Sequence, residues 1–300
     1  NGLNGADVFS LVQSPDGTIL AGTRHGIMRL DNGLWKTSGL TLALPPLEDP
    51  AAKKAPVATT RKTAGKARPV SRPAPRIAPP HRPLPSQADT GVFAFAVNGS
   101  TIFAATEVGL LNSADNGTTW NHIRTADGQP YRMVSSLGDR VITGDMHRLE
   151  LSTDRGTTFR SIQSPTGLTY LTSVAVDDSG RLWAGGREGV WVSENDGTSW
   201  HSQTGLYVPN VSGIYFDPTT SQVMVTAHRP STTVFTVHTP DMKVSYTDTG
   251  WILRGVRSVG SHLVGITAYE GVVVQPRMVD SPVQPLTSKL PNAKNEVQSN

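Results

Sequence analysis

Three windows of the sequence carry nearly the same text: SADNGTTW at residues 113–120, STDRGTTF at 152–159 and SENDGTSW at 193–200. Their closing aromatics, Trp120, Phe159 and Trp200, stand 39 and 41 residues apart. That is the period of a four-stranded propeller blade rather than of a helical solenoid. A shorter relative of the same text, RLDNGLW, ends at Trp35, 85 residues before Trp120. Only one unit of alternating sequence fills this gap, and removing residues 45–89 leaves 40, a single period. Residues 45–89 therefore read as an insertion between consecutive repeats of one domain.

Upstream of each window the chain reads alike. In LTSVAVDDSGRLWAGGREGVWV (171–192) an alternating apolar run meets an Asp-Ser-Gly turn, a second run RLWAGG, a short polar turn and a third run GVWV. Residues 8–30, 91–111 and 133–151 repeat this plan. A fifth unit over 211–251 is longer and lacks the window, and a sixth over 256–274 ends GVVV. Period-2 alternation, β-branched residues and Gly/Asp turns predict strands throughout, with no helical periodicity. The expectation is an all-β propeller of four-stranded blades, six repeats visible and six or seven blades in the ring. Its parts are a first repeat over 1–44, the insertion over 45–89, the remaining repeats over 90–280 and a flexible tail over 281–300. Asn1-Gly2-Leu3 aligns with Thr204-Gly205-Leu206. The chain thus opens at the tail of a fourth strand, a phasing that suits a ring sealed by its own termini or a cut from a longer propeller. An opening without Met reads as a processed form or an excised segment.

The three windows resemble the Asp-box, or BNR, repeat of the sialidase superfamily and of photosystem II assembly-factor-like propellers. The matching positions are Ser113, Asp115, Gly117 and Trp120, then Ser152, Asp154, Gly156 and Phe159, then Ser193, Asn195, Gly197 and Trp200, with Asn195 where Asp is usual. The resemblance implies a structural turn between the third and fourth strands of a blade. There the carboxylate accepts backbone N–H bonds, Gly takes a conformation other residues resist, and the aromatic packs between sheets. Proteins with this repeat serve many functions, so it marks a fold and not a chemistry.

Composition removes whole classes of function. The 300 residues contain no Cys, which excludes disulfides, thiolate metal sites and a thiol nucleophile. No apolar run approaches the roughly 20 residues of a membrane-spanning helix. The net charge of +3 hides a division. Residues 51–82 hold nine of the 27 Lys and Arg and none of the 24 Asp and Glu, so the rest of the chain is about −6. Residues 45–89 also hold eleven of the 22 prolines. So few large apolar side chains cannot offset the entropy of ordering, and the segment reads as a disordered, basic loop. Without interleaved aromatics it is suited to non-specific, salt-sensitive contact with nucleic acid at most.

The turns between second and third strands fall at homologous positions. They contain Arg24 and His25, Glu107, His147 and Arg148, Arg187 and Glu188, His228 and Arg229, and Tyr269 and Glu270. Radial repetition brings these turns to one axial mouth, on the face opposite the boxes. Such a mixed-charge rim suits an anionic or sugar-like ligand, since guanidinium groups make paired contacts with oxyanions.

Sialidase chemistry needs an arginine triad, a Tyr activated by Glu, an acidic proton donor and an Arg-Ile-Pro text before the first box. Here Arg76-Ile77-Ala78 is the nearest text and lies in the insertion, and the adjacent Tyr269 and Glu270 point to opposite faces of a strand. No HExxH, phosphate loop or nucleophile elbow occurs, so no metal and no cofactor is expected. The reading is a non-catalytic binding or scaffold propeller, exported to the periplasm or cell exterior, with a protein or anionic polymer as partner. The alternatives are a glycan hydrolase of the sialidase-like type and the input propeller of a periplasmic sensor.

Overall fold

A computed structural model describes residues 8–38, 40–42, 90–125, 129–228, 232–267 and 271–276. The insertion, the C-terminal tail and the first seven residues lie outside the described residues. Among these residues there are 23 strands and no helix. They form five four-stranded sheets and one three-stranded sheet, every one an antiparallel meander in chain order. We number these sheets blades I to VI. Their innermost strands are Val8–Gln13, Val92–Asn98, Met133–Leu137, Leu171–Val176, Val211–Asp217 and Leu253–Val259.

Each inner strand neighbours the next, and that of blade I neighbours that of blade VI, so six blades close one ring. Near-continuous burial along the second strands explains why. Each sheet is apolar on both faces and needs a cover on each side. The apolar core accordingly divides into six clusters, one per blade interface. Between blades I and II, Leu20 and Ile27 meet Phe95, Ile102 and Leu111. The closing interface sets Val8, Leu11 and Ala21 against Val259, Val264 and Ile266. Gln13 Oε1 there accepts the Gly260 N–H at 2.8 Å, across 247 residues of sequence.

The last strand of blade I, Leu34–Thr37, and the first of blade II, Val92–Asn98, flank the insertion and belong to adjacent sheets. Before the insertion begins, Leu40 is buried beside Trp120 and the Thr41 carbonyl accepts the Trp120 N–H at 2.9 Å. Blade I is therefore fastened to blade II independently of residues 45–89.

The repeated turns share one hydrogen-bond plan. Ser113 Oγ donates to Asp115 Oδ1 at 2.7 Å and accepts the Gly117 N–H at 2.9 Å. Asp115 also accepts the Thr119 N–H and hydroxyl. Ser152, Asp154, Gly156 and Thr158 repeat these bonds. At 193–200 the Asn195 amide oxygen accepts from Ser193 and from the Ser199 N–H, and its NH₂ donates to Ser199 Oγ at 2.8 Å. Asn116, Arg155 and Asp196 take positive φ, followed by Gly117, Gly156 and Gly197. A Cβ on Gly117 would come within 2.6 Å of Leu20. The aromatics at the turn ends pack on the preceding blade: Trp35 against the VI–I cluster, Trp120 in I–II, Phe159 in II–III and Trp200 in III–IV.

Two outcomes follow for these turns. Ser113→Ala leaves the Gly117 N–H unpaired in a buried site, at a cost of about 1–3 kcal/mol. The thermal midpoint is expected to fall by roughly 3–10 °C for a chain of this size, read by scanning calorimetry. Asp154 is held down to about 2 by the Thr158 hydroxyl, the Thr158 N–H and Ser152, from an ordinary 3.8. A carboxylate lowered in this way stabilises the fold above pH 3.8, and that support is lost as pH falls toward 2. Asp154→Asn, imitating Asn195, is expected to leave stability at pH 7 nearly unchanged and to flatten the acid limb of the stability profile.

Candidate functional site

Where the second strand of a blade ends, a local hydrogen bond tightens the turn into the third. Thr23 Oγ1 donates to the Gly26 carbonyl at 3.0 Å and accepts the His25 N–H at 3.2 Å. Thr106 does the same with Gly109 and Val108, and Thr267 donates to Gly271. In blade III Asp145 takes over, accepting the His147 and Arg148 N–H groups. Gly109, at φ 146°, is obligatory, because a Cβ there would lie 2.1 Å from the Arg124 carbonyl oxygen. These tight turns lie at the axial face.

That face opens into an axial cavity of about 830 Å³. Four residues expected at the mouth line it: Arg24, His25, Glu107 and His228. Glu107 is also tied to the scaffold, accepting the Gly91 N–H at 3.1 Å.

Four others stand on the same face outside the cavity. His147 packs its ring 5.4 Å from that of Tyr170. Arg148 turns back to pair with Asp145 at 2.8 Å and to cover the Tyr131 ring at 4.7 Å. The Thr169 side chain, and then its N–H at 3.0 Å, bond Glu188 and lower its pKa, and the Arg187 carbonyl accepts the Asn210 N–H at 2.8 Å. Arg229, Tyr269 and Glu270 lie outside the described residues.

The remaining wall comes from residues that the turn pattern does not reveal. Phe9, Phe93, Thr172, Ser212 and Arg254 are each the second residue of an inner strand, and Arg132 immediately precedes the inner strand of blade III. At the first five the pairing register slips, between Val8 and Ser10, Val92 and Ala94, Leu171 and Ser173, Val211 and Gly213, and Leu253 and Gly255. A bulged residue is re-aimed out of the sheet, here to the axis. The legible signal was a column: Phe, Phe, Arg, Thr, Ser and Arg one step into each unit, where inward-facing apolar residues were to be expected.

The ring of bulged side chains is uneven. Thr172 Oγ1 donates to the Val211 carbonyl at 2.7 Å and Ser212 Oγ to the Leu253 carbonyl at 3.0 Å, so their hydroxyls fasten neighbouring blades. On the other side Phe9 and Phe93 lie 5.5 Å apart and the Arg132 guanidinium sits 4.6 Å from the Phe93 ring centre, a cation–π arrangement. Arg24, Arg132 and Arg254 with His25 and His228 face a single carboxylate, Glu107, among the described lining residues. Burial, and then the charge of Arg254, push His228 below the usual histidine range. The cavity is cationic with one aromatic wall. Among the described residues no group of three His, Cys, Asp or Glu is placed to hold a metal ion, and no helix is long and apolar enough to cross a membrane.

No family model and no curated protein matches this chain. Solved structures do. The extracellular domain of a hybrid two-component system from B. thetaiotaomicron matches at TM-score 0.55 and 13% identity, over 91% of this chain and 32% of that one. An ancestral GH74 enzyme matches at TM-score 0.51 and 15% identity, over 90% of this chain and 36% of that one. YCF48 from Cyanidioschyzon merolae matches at TM-score 0.50 and 11% identity, over 95% and 87%. The chain thus spans about a third of the first two, and at these identities the likeness shows the propeller fold alone.

The His228 environment has a measurable consequence. Its proton NMR titration midpoint is expected below the ordinary 6.5, and Arg254→Gln is expected to raise it by removing a like charge beside it. A midpoint at or above 6.5 in the unaltered chain counts against a desolvated His228 at this mouth.

Proposed function

We propose that this chain is a non-catalytic binding propeller that takes an anionic ligand, carried on a protein or an acidic glycan, at its axial mouth. The observation that carries the reading is the cavity of about 830 Å³ in which three arginines and two histidines surround a paired-phenylalanine wall and meet one described carboxylate. Guanidinium groups make paired, charge-assisted bonds to oxyanions, and the aromatic wall accepts the apolar part of the same ligand. The −6 carried by the chain outside residues 51–82 makes this cationic mouth a local attractor rather than part of a basic surface.

Several features support a binding role over hydrolysis. Two-carboxylate glycoside hydrolysis needs a facing pair of acids, whereas Glu107 is the one carboxylate among the described lining residues and is engaged by the Gly91 N–H. The fold does not decide the matter, since its likenesses include both a GH74 enzyme and a sensor's extracellular domain. Export belongs to the same proposal: the chain has no cysteine to be oxidised, and one of its structural likenesses is extracellular.

The test uses polygalacturonate, poly-glutamate and short duplex DNA as probes of the intact chain. Binding of an acidic probe at low ionic strength is expected, weakening as salt rises. Arg24→Ala with Arg254→Ala is expected to weaken it about tenfold or more for each charge-assisted bond removed. Arg187→Ala, outside the cavity, is expected to leave it unchanged. A ligand anchored at the mouth also binds more tightly as pH falls below the lowered midpoint of His228 and the ring gains its proton. If only removal of residues 50–88 abolishes binding, the basic insertion is the site and the mouth is not. Turnover of an aryl sialoside or aryl glucan, abolished in Glu107→Gln, would replace the binding reading with a catalytic one.

A further inference from the structure

Below the mouth the axial channel narrows to a waist of about 70 Å³, then opens again into a cavity of about 310 Å³ toward the opposite face. Arg132 and Arg254 border both the mouth and the waist. Arg257, on the inner strand Leu253–Val259, borders both the waist and the lower cavity. Three guanidinium groups therefore line the waist, and no Asp or Glu among the described residues does.

Arg257 is the anomaly. Its guanidinium lies 5.0 Å from the Tyr215 ring centre, and Nη1 donates to the Val256 carbonyl at 2.7 Å. One backbone acceptor and one ring face leave most of its five N–H donors to the channel. Burial pushes its pKa below the ordinary guanidinium value, with Tyr215 working the other way, and it remains a cation at neutral pH. Three other arginines are paired with carboxylates. Arg124 holds Glu150, Arg140 holds Asp196 and the enclosed Arg181 holds Asp177, all within 3 Å. Arg257 makes no ion pair with a carboxylate of the described residues. Half-buried on the channel wall, Arg257 has no carboxylate beside it among the described lining residues, so the channel's contents supply its counter-charge.

We propose that the channel waist binds one compact oxyanion, of the size of formate, acetate or inorganic phosphate, on Arg257 with Arg132 and Arg254 above it. The volume admits a single such group, and the guanidinium fork matches two oxygens of a carboxylate or phosphate. This site shares Arg132 and Arg254 with the wide mouth but adds Arg257, and it stands whether or not a larger ligand binds above it. The oxyanion is either a free ion or the acidic tip of a chain entering from the mouth, and the two are distinguishable.

The experiment is thermal unfolding of the whole chain in a bulky sulfonate buffer, titrated with sodium formate or sodium phosphate at constant ionic strength. The midpoint of the unaltered protein is expected to rise with the logarithm of anion concentration once that exceeds the dissociation constant, by roughly 5–10 °C at 100 times it. Arg257→Met is expected to abolish that rise. Arg24→Ala, which alters only the mouth, is expected to keep it. In the unaltered chain the Arg257 Nε–H resonance is expected to shift on adding formate, a readout independent of whether any variant folds. A response to oligo-glutamate alone, absent in Arg257→Met, assigns the oxyanion to a ligand's acidic tip. A rise of equal size in Arg257→Met, or no rise and no resonance shift with any probe, overturns the proposal.

Discussion

Every blade has two apolar faces, and a sheet of four short strands cannot cover both by itself. The ring answers this constraint by giving each blade a neighbour on either side, the last being the chain's own first blade. At the closing interface the Val8, Leu11 and Ala21 side chains meet Val259, Val264 and Ile266, so the two ends of the described chain are held by one core. Because that interface joins residues about 250 positions apart, it bears the largest loop-closure entropy of any in the fold. Shape of the channel, placement of the mouth and position of Arg257 all depend on its being formed.

Polar groups refine what apolar packing arranges. Inner strands are sewn to one another by hydroxyls at intervals of about one repeat. Ser135 accepts the Val176 N–H, Ser173 accepts the Ile214 N–H, and Ser258 donates to Asp217. These bonds leave little slack at the axis, where a small rotation of one blade would move a bulged side chain by ångströms. A similar economy holds farther out, where Glu150 is buried between the Arg124 guanidinium and the Tyr131 hydroxyl. Both bonds lower its pKa against the opposing effect of burial. A paired, enclosed charge of this kind is the contrast that makes Arg257 conspicuous.

The mouth takes its character from an asymmetry in a near-symmetric object. Six equivalent positions surround the axis, five of them bulged, and two, Thr172 and Ser212, turn their hydroxyls to the neighbouring blade. The others carry Phe9, Phe93, Arg132 and Arg254 into the opening. Repetition thus supplies the geometry, and departure from repetition supplies the chemistry. The repeated Ser-Asp turns lie at the opposite ends of their blades, where their polar groups bond one another.

Much of this was readable along the chain. Alternation over 4–7 residues, Gly and Asp at the turns and a spacing near 40 are local properties, so the all-β class, the blade unit and the place of the insertion between adjacent blades could be derived without coordinates. Asn195 could be seen to depart from the usual Asp, and only the coordinates show its amide oxygen accepting the Ser199 N–H in the same way. The mouth was legible only in part: Arg24, His25, Glu107 and His228 reach the cavity, whereas His147, Arg148 and Glu188 are engaged by partners beside it. What a turn residue faces depends on the tilt of its blade and on which neighbour offers it a bond, and neither is encoded in period-2 text. The number of blades in the ring is likewise a property of the angle at which successive sheets pack, which only tertiary structure sets. So is the aim of Phe9, Phe93, Arg132, Arg254 and Arg257, because a bulge or a strand edge becomes a channel wall only when six of them are brought round a common axis.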